Sequence, residues 1–125
     1  MKSNNDRGYI SPAYNGAIKR YCQTLDLKND PELIKTYTYW HNKEHIWPEI
    51  PKGIREAGIL NMEIYLLGNR LFMIVETPVD FNWDEAFGRL AKMEKQAEWE
   101  AFVDKFQQSE AGAASSEKWQ RMEQI

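Results

Sequence analysis

The amino-acid sequence predicts a small α+β domain in which two helical regions cover one face of an antiparallel sheet. The length of 125 residues suits a single hydrophobic core. Apolar residues recur at every second position in some segments and at every third or fourth position in others, which indicates both strands and helices. The pair Gly68-Asn69 separates two strand-like segments and is typical of a tight hairpin turn.

The first predicted strand covers residues 20–27, and the first helix follows it after a short turn. Strand residues on one face are Tyr21, Gln23, Leu25 and Leu27. Asp30 directly precedes Pro31, and this order is typical of a helix N-cap followed by proline in the first turn. The spacing predicts a helix from Pro31 through Lys43.

Pro48 predicts an interruption of this helix, because proline lacks a backbone N–H and clashes with the preceding turn. We expect the helix to break near Trp47 and to resume from Glu49 to Ala57. Gly58 then serves as the C-cap, where a left-handed backbone favours glycine.

The second half of the chain predicts a hairpin, a helix and a final strand. The hairpin strands are Asn61–Leu67 and Arg70–Thr77, and one helix is expected over Trp83–Gln107. Ser109–Ser116 is expected to form a loop, and Glu117–Ile125 alternates as a strand does. The order strand, helix, strand, strand, helix, strand is the split βαβ pattern of ferredoxin-like domains.

The second strand carries apolar residues on both sides, which predicts a partner for the sheet. Met62 and Ile64 are expected on one face, and Ile59, Tyr65 and Leu67 on the other. Because an exposed apolar sheet face of this size calls for cover, we predict a homodimer whose sheets pack face to face as a dimeric α/β barrel.

Composition narrows the class of protein. The net charge is −3 and no basic stripe is present, so nucleic acid is not expected as a partner. Cys22 is the single cysteine, which excludes an internal disulfide and a thiolate zinc site, and we expect it to be buried and inert in its strand.

No apolar run in the sequence approaches the length of a membrane span. The first residues are polar and lack the apolar core of a signal peptide, so no membrane partner is expected and a cytoplasmic location is expected. Residues 1–17 are predicted to form an N-terminal arm, and residues 18–125 a single domain.

Residues 37–50 hold both histidines of the chain among aromatic side chains, and they are the candidate site. Tyr37 and His41 are four residues apart and so share a helix face. His41 can exchange a proton near neutral pH, and the Tyr37 phenol can hydrogen-bond a sugar or carbonyl oxygen. The alternative is an aromatic helix face that packs in the core around a satisfied histidine.

Other features of this region have both a functional and a structural interpretation. The segment from His41 to His45 matches the H-x-x-E-H pattern of inverted zincins, but Pro48 follows where such a site needs an intact helix. Glu49 is either a second acid/base group or a carboxylate that favours the helix N-terminus. Trp99 either stacks on a sugar ring or belongs to the core.

From Lys19 to Ile125 the chain resembles the L-rhamnose mutarotase family and its L-fucose-active relatives. The motifs that carry the resemblance are Tyr37-x-x-x-His41, Ile46-Trp47-Pro48-Glu49, Gly58-Ile59-Leu60-Asn61-Met62-Glu63-Ile64-Tyr65, Leu71-Phe72, Trp99 and Ser115-Ser116-Glu117. The resemblance implies a ferredoxin-like dimer and an isomerase that interconverts the α and β anomers of a 6-deoxy-L-sugar.

The resemblance also implies roles for particular residues. His41 falls on the proposed proton donor of the family, Tyr37 on a substrate-binding tyrosine and Trp99 on the first residue of a tryptophan pair that lines the sugar pocket. Two pocket positions depart from that pattern, because Glu100 replaces the second tryptophan and Met62 replaces a tyrosine. A carboxylate favours hydrogen bonding over stacking, so a preference for L-fucose is a hypothesis.

Mutarotation opens and closes a sugar ring by proton transfer alone, so no metal and no cofactor is expected. The partner of His41 stays open at this point, since Tyr37, Glu49, Glu100 or a water molecule could serve. Two other classes of function also stay open: a small dimeric ferredoxin-like oxygenase and a non-catalytic sugar-binding module.

Overall fold

A computed structural model of the protein describes residues 7–108 and 118–125. In these ranges the elements, in chain order, are β1 (Lys19–Asp26), α1 (Pro31–His41), α2 (Glu49–Glu56), β2 (Asn61–Leu67), β3 (Arg70–Thr77), α3 (Trp83–Leu90), α4 (Gln96–Asp104) and β4 (Gln120–Arg121). None of the helices within these ranges is both long enough and apolar enough to cross a membrane.

The strands form one antiparallel sheet in the order β2-β3-β1-β4. The register places Val75 of β3 between Tyr21 of β1 and Met62 of β2. The hairpin turn at Gly68 has a φ of 63°, a left-handed conformation that glycine adopts without strain. Both the element order and the strand order confirm the predicted ferredoxin-like α+β fold.

Helix α1 begins as predicted but ends earlier. The Asp30 carboxylate caps its first turn by accepting two backbone N–H groups. The helix ends at His41, two residues before the predicted end near Lys43. Asn42 has an extended backbone, and its side chain accepts the N–H of Glu44 at 2.9 Å. This local hydrogen bond competes with helix continuation before Pro48 is reached.

The prediction of one helix over Trp83–Gln107 is wrong, because α3 and α4 are separate helices. Lys95 between them has a φ of 68°, a left-handed conformation that ends the first helical path. Leu90 is buried on α3, and the next buried positions are Gln96 and Trp99 rather than 97 and 100. The break therefore shifts the helical phase by one residue, so that both helices face the core.

The last strand is much shorter than the predicted strand Glu117–Ile125. Strand β4 contains two residues, and the N–H of Met122 continues the pairing by donating to the Cys22 carbonyl at 2.8 Å. Met122 and Ile125 are exposed, so burial of their side chains does not favour a longer strand. Glu117 and the predicted loop Ser109–Ser116 lie outside the described residues.

The helices pack against one face of the sheet, which we call the covered face, and the hydrophobic core lies between them. Leu71, Met73 and Val75 of β3 are buried there. Met62 and Ile64 pack on the same side, as predicted.

Ile59 was expected on the opposite face with Tyr65, and this prediction is wrong. It is buried on the covered side, where it packs with Met73 and Val75. Ile59 precedes β2, so the strand alternation that was used to place it does not apply.

The open face of the sheet mixes apolar and charged side chains. Cys22, Ile74 and Tyr65 lie on it, and Cys22 is half-buried rather than buried as predicted. Chain residues before β1 reach this face, where the Tyr9 ring contacts the Tyr65 ring at 5.6 Å between centroids. The Tyr14 hydroxyl donates to the Glu76 carboxylate at 3.1 Å.

Candidate active site

A cavity of about 1390 Å³ lies between the helices and the covered face of the sheet. All five residues that the sequence nominated for the site line it: Tyr37, His41, Met62, Trp99 and Glu100. They come from α1, β2 and α4, which are distant in the chain. The fold therefore brings the predicted catalytic and binding residues together in one cavity.

His41 occupies the last position of α1 and is held by the backbone of its own helix. Its Nδ1 lies 2.8 Å from the Tyr37 carbonyl oxygen. Because a carbonyl oxygen only accepts, Nδ1 carries a proton, and in the neutral ring Nε2 is the basic nitrogen. Burial lowers the pKa of His41 below its ordinary value, and the hydrogen bond to the carbonyl opposes this only in part.

The Tyr37 ring stacks on the imidazole one helical turn away. The two ring centroids are 3.9 Å apart with an angle of 24° between the planes. Tyr37 is only 3% exposed. Its pKa is raised, first by burial and also by the nearby Glu100 carboxylate, while a hydrogen bond from Gln107 acts in the opposite direction. The phenol therefore keeps its proton at neutral pH and can donate it to an acceptor.

Trp99 forms an aromatic wall next to His41. Its ring centroid lies 5.1 Å from that of His41 and 5.1 Å from that of Trp47. Phe102 supports both indoles, at centroid distances of 5.6 and 5.9 Å. Trp99 is thus both a core residue and a cavity residue, so the core interpretation is confirmed and stacking on a sugar stays a prediction. A fixed indole face suits the apolar side of a sugar ring.

The polar groups of the cavity come from α4 and from the sheet. The Gln96 amide donates to the Glu100 carboxylate at 3.1 Å, which orients that side chain. Gln23 is buried on the covered face and lines the cavity, and its amide donates to the Met73 sulfur at 3.2 Å. Because a thioether is a weak acceptor, the amide of Gln23 has capacity for a polar ligand.

Glu49 and His45 lie away from the cavity. They line a separate depression of about 520 Å³ together with Trp47. The ring of His45 stacks on Tyr39, at 3.9 Å between centroids. The zincin pattern requires both histidines on one helix face, and the end of α1 at His41 removes that condition. Among the open choices for the partner of His41, the structure places Tyr37 and Glu100 in the cavity.

The sequence interpretation missed two kinds of cavity residue. Gln23 could have been found, because a polar residue among apolar ones on the inward face of a strand is a recognisable signal. Gln107, which lines the cavity, and Lys118, which contacts it, gave no such signal. They meet only through the tertiary fold.

The arrangement combines a neutral imidazole, a protonated phenol, a carboxylate and an indole wall. These groups can exchange protons with the oxygen atoms of a small ring-shaped polar ligand while one face of the ring stacks. Fold and site together define a small α+β protein with an aromatic cavity whose polar groups suit acid/base chemistry.

Comparisons with known proteins identify the family. A sequence model described as L-rhamnose mutarotase matches residues 20–125. The chain is 34% identical to an L-fucose mutarotase of Xanthomonas campestris pv. campestris over 109 residues, which is 87% of each protein. It is 40% identical over 91 residues to a UPF0734 protein of Dictyostelium discoideum, covering 72% of this chain and 71% of that one. The chain therefore belongs to the L-rhamnose mutarotase family and is a carbohydrate isomerase.

A solved structure supports the fold. The crystal structure of an L-rhamnose mutarotase from Formosa agariphila superposes with a TM-score of 0.60 at 18% identity. The match covers 86% of this chain and 95% of the other. At this level of identity the likeness concerns the architecture, and it agrees with the ferredoxin-like order of strands described above.

Proposed function

We propose that this protein interconverts the α and β anomers of L-fucose, with His41 as the group that moves the proton of the anomeric hydroxyl. The observation that carries this proposal is the placement of His41, Tyr37 and Glu100 on one cavity. Family membership supports the reaction class, and it weighs against both the oxygenase and the non-catalytic module.

The chemistry begins with the neutral imidazole. Nε2 of His41 removes the proton of the anomeric hydroxyl, while a donor delivers a proton to the ring oxygen, and the bond between that oxygen and the anomeric carbon breaks. Tyr37 is the donor we favour, because its pKa is raised and its proton is retained. Rotation of the aldehyde exposes its other face. Ring closure then reverses both transfers, which restores Tyr37 and His41.

The preference for L-fucose rests on the polar groups of the cavity and on the relative named as an L-fucose mutarotase. L-Fucose and L-rhamnose differ only in the directions of two ring hydroxyls, so discrimination requires hydrogen-bonding groups rather than stacking. Glu100, oriented by Gln96, and the buried amide of Gln23 are such groups. We propose that Glu100 and Gln23 read these hydroxyls.

We also propose that two copies pack through the open faces of their sheets, in the cytoplasm. The half-buried Ile74 and Phe72 on this face support the packing, since a partner would complete their burial. Ile74→Lys is expected to convert a dimer into a monomer in light scattering coupled to gel filtration, whereas Val79→Lys, at an exposed position after β3, leaves the mass unchanged. A monomeric wild type would contradict the dimer.

The test of the function is anomer exchange measured by saturation-transfer NMR with catalytic amounts of protein. The panel contains L-fucose, L-rhamnose, D-galactose and D-glucose, and the rate without protein is subtracted. His41→Ala is expected to lower the enzymatic rate by roughly 100-fold or more, since positioned acid/base groups contribute about 10²–10⁴. His45→Ala is the matched control, because it removes the other histidine outside the cavity.

Each outcome has a defined meaning. Faster exchange of L-fucose than of the other sugars, lost in His41→Ala and kept in His45→Ala, supports the proposal. If L-rhamnose exchanges faster than L-fucose, the proposed substrate is wrong, whereas the proposed reaction still holds. Sugar binding without faster exchange identifies a binding module instead.

A further inference from the structure

The cavity is larger than one 6-deoxy sugar requires. Its volume of about 1390 Å³ exceeds the roughly 300–1,000 Å³ of pockets that hold drug-sized ligands, and a single 6-deoxyhexose is smaller than such a ligand. Tyr37 and Trp99 belong to one hydrophobic cluster of the core, whereas Trp83 packs against a second cluster. All three side chains line the cavity, which therefore extends from one cluster to the other.

Arg121 of β4 lines the cavity and is held by two aromatic rings. Its guanidinium carbon lies 4.2 Å from the centroid of the Trp83 ring and 5.0 Å from that of Tyr21. Those two rings are in contact, at 4.7 Å between centroids. A guanidinium that lies over aromatic rings is fixed in place while its N–H groups stay available to bind a carboxylate.

The charge of Arg121 is not neutralised by a neighbouring side chain in the part of the chain that the structure describes. Ion pairs with carboxylates hold three other arginines, Arg20, Arg70 and Arg89. Arg121 forms no such pair with any of the described residues. Among the charged side chains that line the cavity, Lys43, Arg55 and Arg121 outnumber the carboxylates of Asp84 and Glu100. The cavity therefore offers a fixed cation to an anionic ligand.

Strand pairing places Arg121 beside the proposed sugar position. Gln23 of β1 lies directly opposite Arg121 of β4. Residues directly opposite each other in an antiparallel pair share one face of the sheet, with Cβ atoms about 4.5–5.5 Å apart. Gln23 is one of the two groups that we propose to read the sugar hydroxyls. A substituent attached to the sugar next to those hydroxyls would therefore lie within reach of Arg121.

We propose that Arg121, held on Trp83, binds the carboxylate of a second sugar residue, so that the protein acts on a 6-deoxy-L-sugar at the reducing end of an acidic disaccharide. This inference deepens the proposed mutarotase function and rests on it. The second residue is attached to oxygen 3 of the reducing sugar. That linkage leaves the anomeric hydroxyl free to react and leaves free the hydroxyls on carbons 2 and 4, which distinguish L-fucose from L-rhamnose.

The test compares two disaccharides that differ in charge alone. One carries D-glucuronic acid on oxygen 3 of L-fucose, and the other carries D-glucose there, with a hydroxymethyl group in place of the carboxylate. Saturation-transfer NMR measures anomer exchange of the reducing fucose in both. We expect kcat/KM to be about tenfold higher for the acidic disaccharide, because a charge-assisted bidentate pair is stronger than a neutral hydrogen bond. Equal values of kcat/KM overturn the proposal.

Arg121→Gln assigns the preference to this side chain. The ratio of kcat/KM between the acidic and the neutral disaccharide is expected to fall below twofold. Lys105→Gln is the matched control, because it also removes a cation over an aromatic ring, 4.8 Å from the Phe102 centroid, but outside the cavity, and it should keep the wild-type ratio. If Arg121→Gln lowers kcat/KM equally for both disaccharides, the effect is structural and the proposal is overturned.

A measurement on the wild-type protein keeps the proposal testable if Arg121→Gln does not fold. Arg121 is exposed, so salt should screen its attraction to the carboxylate. We expect the ratio of kcat/KM between the two disaccharides to fall at least threefold between about 50 mM and about 500 mM NaCl. A ratio that does not change with salt overturns the proposal.

Binding measurements distinguish failure of this inference from failure of the proposed function. Isothermal titration calorimetry gives Kd for both disaccharides with the wild type and with Arg121→Gln. If the wild type accelerates the exchange of no sugar but binds the acidic disaccharide about tenfold more tightly, and Arg121→Gln loses this difference, the mutarotase proposal fails and the carboxylate site stands. If the wild type binds both disaccharides equally, the inference is overturned whatever the rate of anomer exchange.

Discussion

The two faces of the sheet place adjacent residues of the same strands in different environments. On the covered face, Gln23 and Met62 line the cavity beside the helices. On the open face, Arg20 and Asn61 hydrogen-bond the buried carboxylate of Glu76. One face therefore lines the cavity of the proposed site, and the other carries a charged network. Substitutions one residue apart should affect different properties of the protein.

The largest expected difference between the faces is in stability. Leu71 points to the covered face and is 1% exposed, whereas Phe72 points to the open face and is half-buried. Leu71→Ala is expected to lower the free energy of unfolding by about 2–5 kcal/mol, because it leaves a cavity in the core. Phe72→Ala should cost clearly less at concentrations where the protein is monomeric. Urea unfolding measures both, and equal losses would contradict the assignment of faces.

A smaller effect is expected from the charged network of the open face. Burial acts to raise the pKa of Glu76, but the hydrogen bonds from Arg20, Asn61 and Tyr14 outweigh it and hold the pKa below its ordinary value. Glu76→Gln removes the charge and is expected to cost about 1–3 kcal/mol in the free energy of unfolding.

The contribution of the Glu76 charge to the free energy of unfolding depends on pH in a defined direction. Because the carboxyl has a lower pKa in the folded state, its stabilisation is present above the unfolded pKa, near 4.5, and is lost as the pH falls through the folded value. The difference in stability between wild type and Glu76→Gln should therefore shrink below pH 4.5. A constant difference down to pH 3 would contradict the role of the charge. Anomer exchange at neutral pH should be unchanged by this substitution.

The next smaller effect is on substrate binding, and it is tested at two adjacent residues of β1, Gln23 and Thr24. Gln23→Leu removes the amide from the cavity and is expected to raise KM for the sugar about tenfold, which corresponds to about 1.4 kcal/mol. Thr24→Val is the control on the open face, where the Thr24 hydroxyl donates to the Leu71 carbonyl at 2.7 Å. It should alter stability and leave KM unchanged. A KM that changes equally in both variants would remove Gln23 from the site.

Much of the structure of the two faces could be predicted from the sequence, because it depends on local patterns. The alternation in β1, the N-cap Asp30 and the turn at Gly68 each act within a few residues, and each prediction was confirmed. The four-residue spacing of Tyr37 and His41 likewise sufficed to place both side chains on the same helix face.

The features that the sequence did not predict depend on distant contacts. The break at Lys95 realigns two helices that read as one continuous pattern, and β4 is only two exposed residues long. Gln107 and Lys118 are eleven residues apart and form a pair only through the tertiary fold. Local propensity does not encode such meetings, which is why the hydrogen bond between Lys118 and Gln107 was not foreseen.

The smallest expected effect is a shift in the pH dependence of kcat/KM, which we attribute to His41 on the covered face. Burial disfavours the imidazolium, so the pKa of His41 lies below its ordinary value of 6.5. The neutral base is then retained at lower pH than in a free imidazole. We expect the acid limb of kcat/KM to have its midpoint below pH 6.5, after subtraction of the uncatalysed rate. Tyr37 and Glu100 face the same cavity, so the profile should be repeated in Tyr37→Phe.

An NMR titration assigns that profile to a residue. The chain has two histidines, so His45→Ala leaves His41 as the only imidazole signal. Its midpoint should lie below 6.5 and coincide with the acid limb of kcat/KM in the same variant. A midpoint at or above 6.5 would contradict burial as the dominant influence on the pKa of His41. Agreement of the two midpoints would instead tie the burial of the covered face directly to its chemistry.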